Sequence, residues 1–208
     1  MSMSSLQTDP IEQVVEAFAA GQMVALMDDP DRECEADLIL AAQFATGEKL
    51  NMMATVARGL FCVAVTGERL EELDIPMIQP VNCGENWPHF AEPVDYKIGT
   101  TTGASAFDLA ATARALADPQ ACPEDFTRPG HMQVLREHHA GLAGRAGHTE
   151  GAMGLARLAK LYPAVIICEM MAPDGRMASG KTLESLVREN RFPLSSVKDI
   201  ARSITPDA

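Results

Sequence analysis

Four carboxylates and one arginine fall within seven residues at Asp31-Arg32-Glu33-Cys34-Glu35-Ala36-Asp37, between two apolar runs. If that segment is extended, Asp31, Glu33, Glu35 and Asp37 point to one face. Carboxylates so spaced repel one another unless a cation sits among them; a solvated acidic turn is the other reading. Much later, Gly144-Arg145-Ala146-Gly147-His148-Thr149-Glu150 leads a glycine-flanked loop into a predicted helix. Free N–H groups at a helix start suit an anion, and Arg145 adds a forked donor, so this segment reads as a phosphate seat; a plain turn at Gly147, with Thr149 as a cap and His148 exposed, is the other reading. His148 beside glycines is by itself a weak metal signal. Thr100-Thr101-Thr102-Gly103-Ala104-Ser105 offers three threonine hydroxyls and a glycine before another helix, which suits a phosphate or a plain cap. Arg128-Pro129-Gly130-His131 is a rigid turn presenting His131, a candidate general acid/base or simply a surface histidine. Glu169 follows the apolar run 164–168, at the end of a predicted strand where ligands gather in such sheets.

The elements that must position these residues follow from hydrophobic periodicity. Residues 11–20 read as a helix with Ile11, Val14, Val15 and Phe18 on one face. Strands are expected at 23–27, 60–65 and 164–168, with another apolar run at 38–42. Helices are expected at 46–58 with Thr46 as cap, 105–117 with a capping-box-like Ser105 and Asp108, 149–161, and 182–190. A closing turn is expected near 197–203. The stretch 76–99, with four prolines and Trp87, reads as a long loop with one edge strand, and 126–131 reads as a loop. Strands and helices mix without strict alternation. That favours an α+β fold, a mixed β-sheet flanked by helices, as one domain over 1–208 with a loose tail at 1–10.

The chain has 208 residues, 17 Lys+Arg and 29 Asp+Glu, so its formal charge is 17 − 29 = −12. An acidic balance argues against nucleic acid as a partner, which requires a basic stripe. No window of 18 apolar residues exists, so no membrane partner is expected, and the polar start carries no basic-then-apolar signal. Five scattered cysteines form no CxxC pair, which points to reduced thiols and a cytoplasmic location. Gly175-Arg176-Met177-Ala178-Ser179-Gly180-Lys181-Thr182 matches G-x-x-x-x-G-K-[ST]. However, the nearest predicted strand ends at Cys168 with Pro173 between, so nucleotide binding is not expected.

Taken in order, these clusters resemble one known family. Asp28-Asp29-Pro30-Asp31-Arg32-Glu33-Cys34-Glu35-Ala36-Asp37-Leu38 is similar to the D-D-x-D-R-E-x-E-G-D-L signature of 3,4-dihydroxy-2-butanone 4-phosphate synthases. Thr101 to Asp108 resembles their T-T-G-x-S-A-x-D. The segments at 128–131 and 145–150 resemble R-P-G-H and R-x-G-H-T-E, and Cys168-Glu169 and 174–178 resemble C-E and D-G-x-M-A. The resemblance runs from about residue 11 to 203 and implies a three-layer α/β/α-like fold and a homodimer with its site at or near the interface. It implies conversion of the phosphosugar D-ribulose 5-phosphate to 3,4-dihydroxy-2-butanone 4-phosphate and formate, in riboflavin biosynthesis. Two Mg²⁺ ions are implied, with Mn²⁺ as the other candidate, held by Glu33 and His148. Substrate contacts are implied at Arg32, Glu33, Asp37, Thr102, Arg145, Ala146, Gly147, His148, Thr149 and Glu169, and catalytic roles at His131, Glu169 and Asp37. His131 is expected to reach the site of the other subunit. The chain departs from the pattern at Cys34, Ala36, Leu109 and most of 81–96. That departure keeps open a paralogue acting on a related phosphosugar, or a weakly active or non-catalytic homologue.

Overall fold

The computed structural model of the protein describes residues 6–29, 32, 35–84 and 87–204. Seven strands form one mixed sheet: β1 (Val24–Met27), β2 (Ala36–Ala41), β3 (Cys62–Val65), β4 (Phe90–Tyr96), β5 (Phe126–Arg136), β6 (Ala164–Glu169) and β7 (Leu194–Ser196), in the order β4-β5-β3-β6-β2-β1-β7. Only β3/β5 and β1/β7 are parallel. The four central strands β1, β2, β3 and β6 are apolar and buried almost throughout, because helices cover both faces.

Alternate residues along each strand feed the two faces. Leu38, Leu40, Val63 and Ile166 pack under α2 (Gly47–Val56), α3 (Gly67–Glu72), α4 (Ala106–Leu116) and α6 (Gly180–Asn190). Ile39, Ala64, Val165 and Ile167 pack under α1 (Ile11–Ala19), α5 (His148–Leu158) and α7 (Val197–Ile204). The expected α+β, three-layer arrangement is therefore what the chain adopts. Caps set the helix starts as expected: Thr46 Oγ1 accepts the Lys49 N–H at 3.2 Å and Ser105 Oγ accepts the Asp108 N–H at 3.1 Å. No helix among the described residues is long and apolar enough to cross a membrane.

Two expectations need correction. Residues 126–131 are strand, not loop: β5 begins at Phe126 and pairs Tyr96 and Asp95 of β4 through Phe126 and Thr127. Proline is tolerated there because the pairing is irregular, with register shifts beside Val94. Residues 6–10 are not loose. Asp9 N–H donates to Leu194 O at 2.8 Å, Asp9 Oδ2 accepts the Leu194 N–H at 2.8 Å, and Thr8 Oγ1 reaches Asp199 Oδ2 at 3.0 Å. Residues 1–5 lie outside the described residues. The short elements α3 and β7 were not anticipated. The edge strand within 76–99 is β4, and 76–78 run beside it through Glu92 N–H to Pro76 O at 2.8 Å and Ile78 N–H to Phe90 O at 3.0 Å.

Candidate active site

Strand register builds the first half of the site. Asp37 of β2 stands directly opposite Glu169 of β6, so both carboxylates leave the same face, the one covered by α5. Neighbouring Leu38 and Cys168 point the other way, into the core. Arg58 adopts φ 70 just before β3, and the Gly59-Leu60 peptide swings against the end of β6. There the Leu60 N–H donates to Glu169 Oε2 at 2.7 Å. Arg32 is anchored by Asp28, Nη1 to Oδ2 at 2.6 Å. Glu33 and Asp31 lie outside the described residues.

The start of α5 supplies the other half. Its N-cap is Gly147, and His148, Thr149 and Glu150 are buried in its first turn. The anticipated helix therefore starts one residue early, and Thr149 is inside it rather than capping it. Arg145, nine-tenths buried, pairs with Glu150 at 2.8 Å, and the second Glu150 oxygen accepts the His138 N–H at 3.1 Å. Glu150 thus holds the guanidinium and the approach loop together. His148 Nδ1 lies 3.6 Å from Asp37 Oδ2, beyond direct hydrogen-bond reach.

These two halves share one cleft of about 90 Å³, lined by Arg32, Glu35, Asp37, Arg145, His148, Thr149 and Glu169 with Cys62, Pro88, Phe90, Leu135 and Ile167. Arg32, Glu35 and Asp37 from early in the chain and Arg145 and His148 from late in it therefore line one cleft. Larger cavities of about 790 Å³ along 6–17 and 184–194, and about 680 Å³ around Trp87, hold fewer titratable groups, whereas one of about 420 Å³ gathers Glu68, Glu71, Glu137, Arg136, Arg157 and three histidines. Burial, with Glu169 and Asp37 adding to it, pushes the Cys62 thiol up, so it lines the cleft as an uncharged wall. His89, stacked on His138 at 6.2 Å, is shifted down by burial first and then by Arg136 and Arg145.

Two anticipated site residues stand elsewhere. Thr102 and His131 do not line the cleft. His131 is half exposed, four residues along β5 from Leu135, which is roughly 13 Å of strand. Part of the loop at 100–105 is already engaged. The Asp108 carboxylate accepts the Thr101 N–H at 2.9 Å, the Thr101 hydroxyl at 2.7 Å and the Gly103 N–H at 3.2 Å. These bonds, the Thr101 hydroxyl foremost, hold the Asp108 carboxyl down to about 2. Glu150 and the Gly59-Leu60 turn were missed in the sequence. Glu150 had a signal, a carboxylate following Arg145 by five residues at a helix start. The turn had none without the register of β6.

The chain matches the 3,4-dihydroxy-2-butanone 4-phosphate synthase family model over residues 12–203. It is 45% identical over 190 residues to the 3,4-dihydroxy-2-butanone 4-phosphate synthase of Agrobacterium fabrum, covering 91% of this chain and 89% of that one. It is 42% identical over 194 residues to the riboflavin biosynthesis protein RibBA of Aquifex aeolicus, covering 92% of this chain and 48% of the relative. The chain thus spans about half the length of that RibBA relative. A crystal structure of a 3,4-dihydroxy-2-butanone 4-phosphate synthase in complex with two magnesium ions superposes with a TM-score of 0.87 at 36% identity, over 94% of this chain and 96% of that one.

Proposed function

This chain belongs to the 3,4-dihydroxy-2-butanone 4-phosphate synthase family, and we propose that it is a lyase converting D-ribulose 5-phosphate to 3,4-dihydroxy-2-butanone 4-phosphate and formate in riboflavin biosynthesis. The observation that carries this reading is the shared cleft, in which the opposed Asp37 and Glu169 face Arg145 and the start of α5. The names of the relatives favour the family reaction over a paralogue with another phosphosugar or a non-catalytic homologue.

Each residue type suits one demand of that chemistry. The phosphate docks on Arg145 and the first N–H groups of α5, with Ala146, Gly147 and Thr149 shaping the seat, and serves as a handle whose binding energy orients the sugar. Arg32 binds the sugar's oxygens from the opposite wall. Asp37 and Glu169 take and return protons at the carbons and hydroxyls beside the carbonyl, as enediolate and alkoxide charge develops. The Leu60 N–H fixes one Glu169 oxygen, so the other faces the substrate. Phe90, Ile167 and Cys62 keep the wall apolar and exclude water.

The donor set fits a divalent cation in kind. Glu35, Asp37 and Glu169 are hard oxygen ligands on the His148 cleft, as Mg²⁺ requires. Among the described residues no three such groups lie close enough to hold an ion by themselves; the resemblance assigns the metal to His148 with Glu33, which lies outside the described residues. Bound there, two Mg²⁺ ions, or Mn²⁺ in their place, would polarise carbonyl and hydroxyl oxygens. At about 90 Å³ the cleft is a shallow seat, well below the few hundred Å³ of common ligand pockets. A homodimer supplies the remaining wall, with His131 and Thr102 of one copy facing the cleft of the other.

The test is formate release from D-ribulose 5-phosphate with Mg²⁺. Formation of formate by the wild-type protein, and its loss in Glu169→Gln, is expected; no formate with either Mg²⁺ or Mn²⁺ rejects the reaction. The shared site is tested by mixing two inactive variants, His131→Ala and His148→Ala. Random reassortment makes half the dimers mixed, each with one intact site, so about a quarter of wild-type activity returns. No recovery after verified exchange rejects the shared site.

A further inference from the structure

Asp95 lies in the part of the chain that departs from the family pattern, and no motif singles it out. It stands at the end of β4, only 14% exposed in its side chain, and grips His131 twice. Its Oδ1 accepts the His131 backbone N–H at 2.8 Å, and its Oδ2 lies 2.7 Å from His131 Nδ1. An ionised carboxylate can only accept, so in the neutral ring the proton sits on Nδ1 and the lone pair on Nε2. The backbone bond prevents the carboxylate from swinging away. Gly103 closes the other side: it has φ +88, and a Cβ there would fall into the Asp95 carboxylate. Asp108 in turn shapes the Thr101-to-Gly103 loop through three accepted hydrogen bonds. The loop at 101–108 thereby buttresses the Asp95–His131 pair.

We propose that Asp95 is the positioning residue of His131: through the double hydrogen bond it fixes the Nδ1–H tautomer and aims Nε2 outward as the proton-transfer atom. This rests on the reading of His131 as an acid/base given above. The geometry also fixes what Asp95→Asn does. The His131 backbone N–H still requires an acceptor, so the asparagine carbonyl oxygen must take the Oδ1 place. Its NH₂ then faces Nδ1, which must present a lone pair, and the ring proton moves to Nε2. The variant keeps the shape of the site and inverts the tautomer, as removal of the analogous carboxylate charge does in hydrolytic triads.

The experiment reads the tautomer and the rate separately. Long-range ¹H–¹⁵N spectra of the neutral His131 ring in the intact protein are expected to show Nδ1–H in the wild type and Nε2–H in Asp95→Asn. The same variant is expected to lose about 100-fold or more in kcat, with KM changed by less than about threefold. An Nε2–H ring in the wild type, which needs no variant, overturns the proposal, as does an unchanged tautomer in Asp95→Asn. Wild-type kcat in Asp95→Asn beside an inactive His131→Ala overturns the proposal alone. Wild-type kcat in His131→Ala overturns the reading of His131 on which it rests.

Discussion

Gly59→Ala tests whether Glu169 is a reacting group, because it moves that residue without touching its chemistry. A Cβ at position 59 would lie 2.5 Å from Glu169 Oε2 and 2.6 Å from its backbone N, and closer still to its carbonyl oxygen. Ordinary contact begins near 3.4 Å, so the backbone there must give by at least 3.4 − 2.6 = 0.8 Å at the nitrogen and by more at the carbonyl oxygen. Two of the three atoms are main chain at the end of β6, so a rotamer change cannot relieve the overlap. Displacing a reacting group by about 1 Å costs roughly 100-fold in rate, equivalent to about 2.7 kcal/mol. Overpacking costs about 1–3 kcal/mol of stability, and about 2–4 °C of Tm per kcal/mol at this chain length. The assay is formate release at saturating D-ribulose 5-phosphate, beside a thermal melt of the same sample. Expected are a folded protein melting a few degrees lower and a kcat down about 100-fold. A lowered Tm with wild-type kcat would refute the reasoning, since Glu169 would then tolerate a displacement that no proton-transfer group should.

Three further outcomes follow from local interactions. Asp108 is depressed from 3.8 to about 2 when folded, so its stabilisation is complete above its unfolded value and is lost as pH falls through the folded one. The gap in urea midpoint between wild type and Asp108→Asn should therefore shrink between about pH 4 and pH 2, and a constant gap rejects the assignment. Burial pushes Cys168 up to about 12 and Cys62 up as well, while Cys83 and Cys122 are exposed. Mass-mapped alkylation of the native protein should mark Cys83 first, then Cys122, whose thiol Asp125 pushes up, and Cys62 and Cys168 only after unfolding. Thr46→Ala removes the acceptor for the Lys49 N–H and should lower stability by about 1 kcal/mol, read as a lower urea midpoint with unchanged kcat.

What was legible in the sequence was local, and what was hidden was pairing. Caps at Thr46 and Ser105 and the apolar face of α1 are written in neighbouring residues, so those helices were placed to within a few positions. The meeting of Asp37 with Glu169 depends on a register joining residues 169 − 37 = 132 apart, which no local pattern encodes. The resemblance nevertheless brought both residues into the candidate site. β5 was misread because Pro129-Gly130 is a turn signal, whereas an irregular ladder beside an edge strand accepts it. The loop at 100–105 has the composition of an anion seat. Only the structure shows Asp108 already accepting the Thr101 and Gly103 N–H groups, and Gly103 packed against Asp95 beside His131.

The cleft is also where the chain breaks the rules it follows elsewhere. Like charges directly opposite on antiparallel strands destabilise a sheet, yet Asp37 and Glu169 occupy such a pair at the end of the central β2/β6 ladder. Each has a neighbour from a different element: the Leu60 N–H from the turn before β3 donates to Glu169, and the His148 ring at the start of α5 stands 3.6 Å from Asp37. The same arrangement leaves the oxygens aimed at one cleft, which a hydrophobic pair at these positions would not. A fold that keeps two opposed carboxylates at this strand pair, with neighbours supplied from β3 and α5, is what the proposed proton transfer requires.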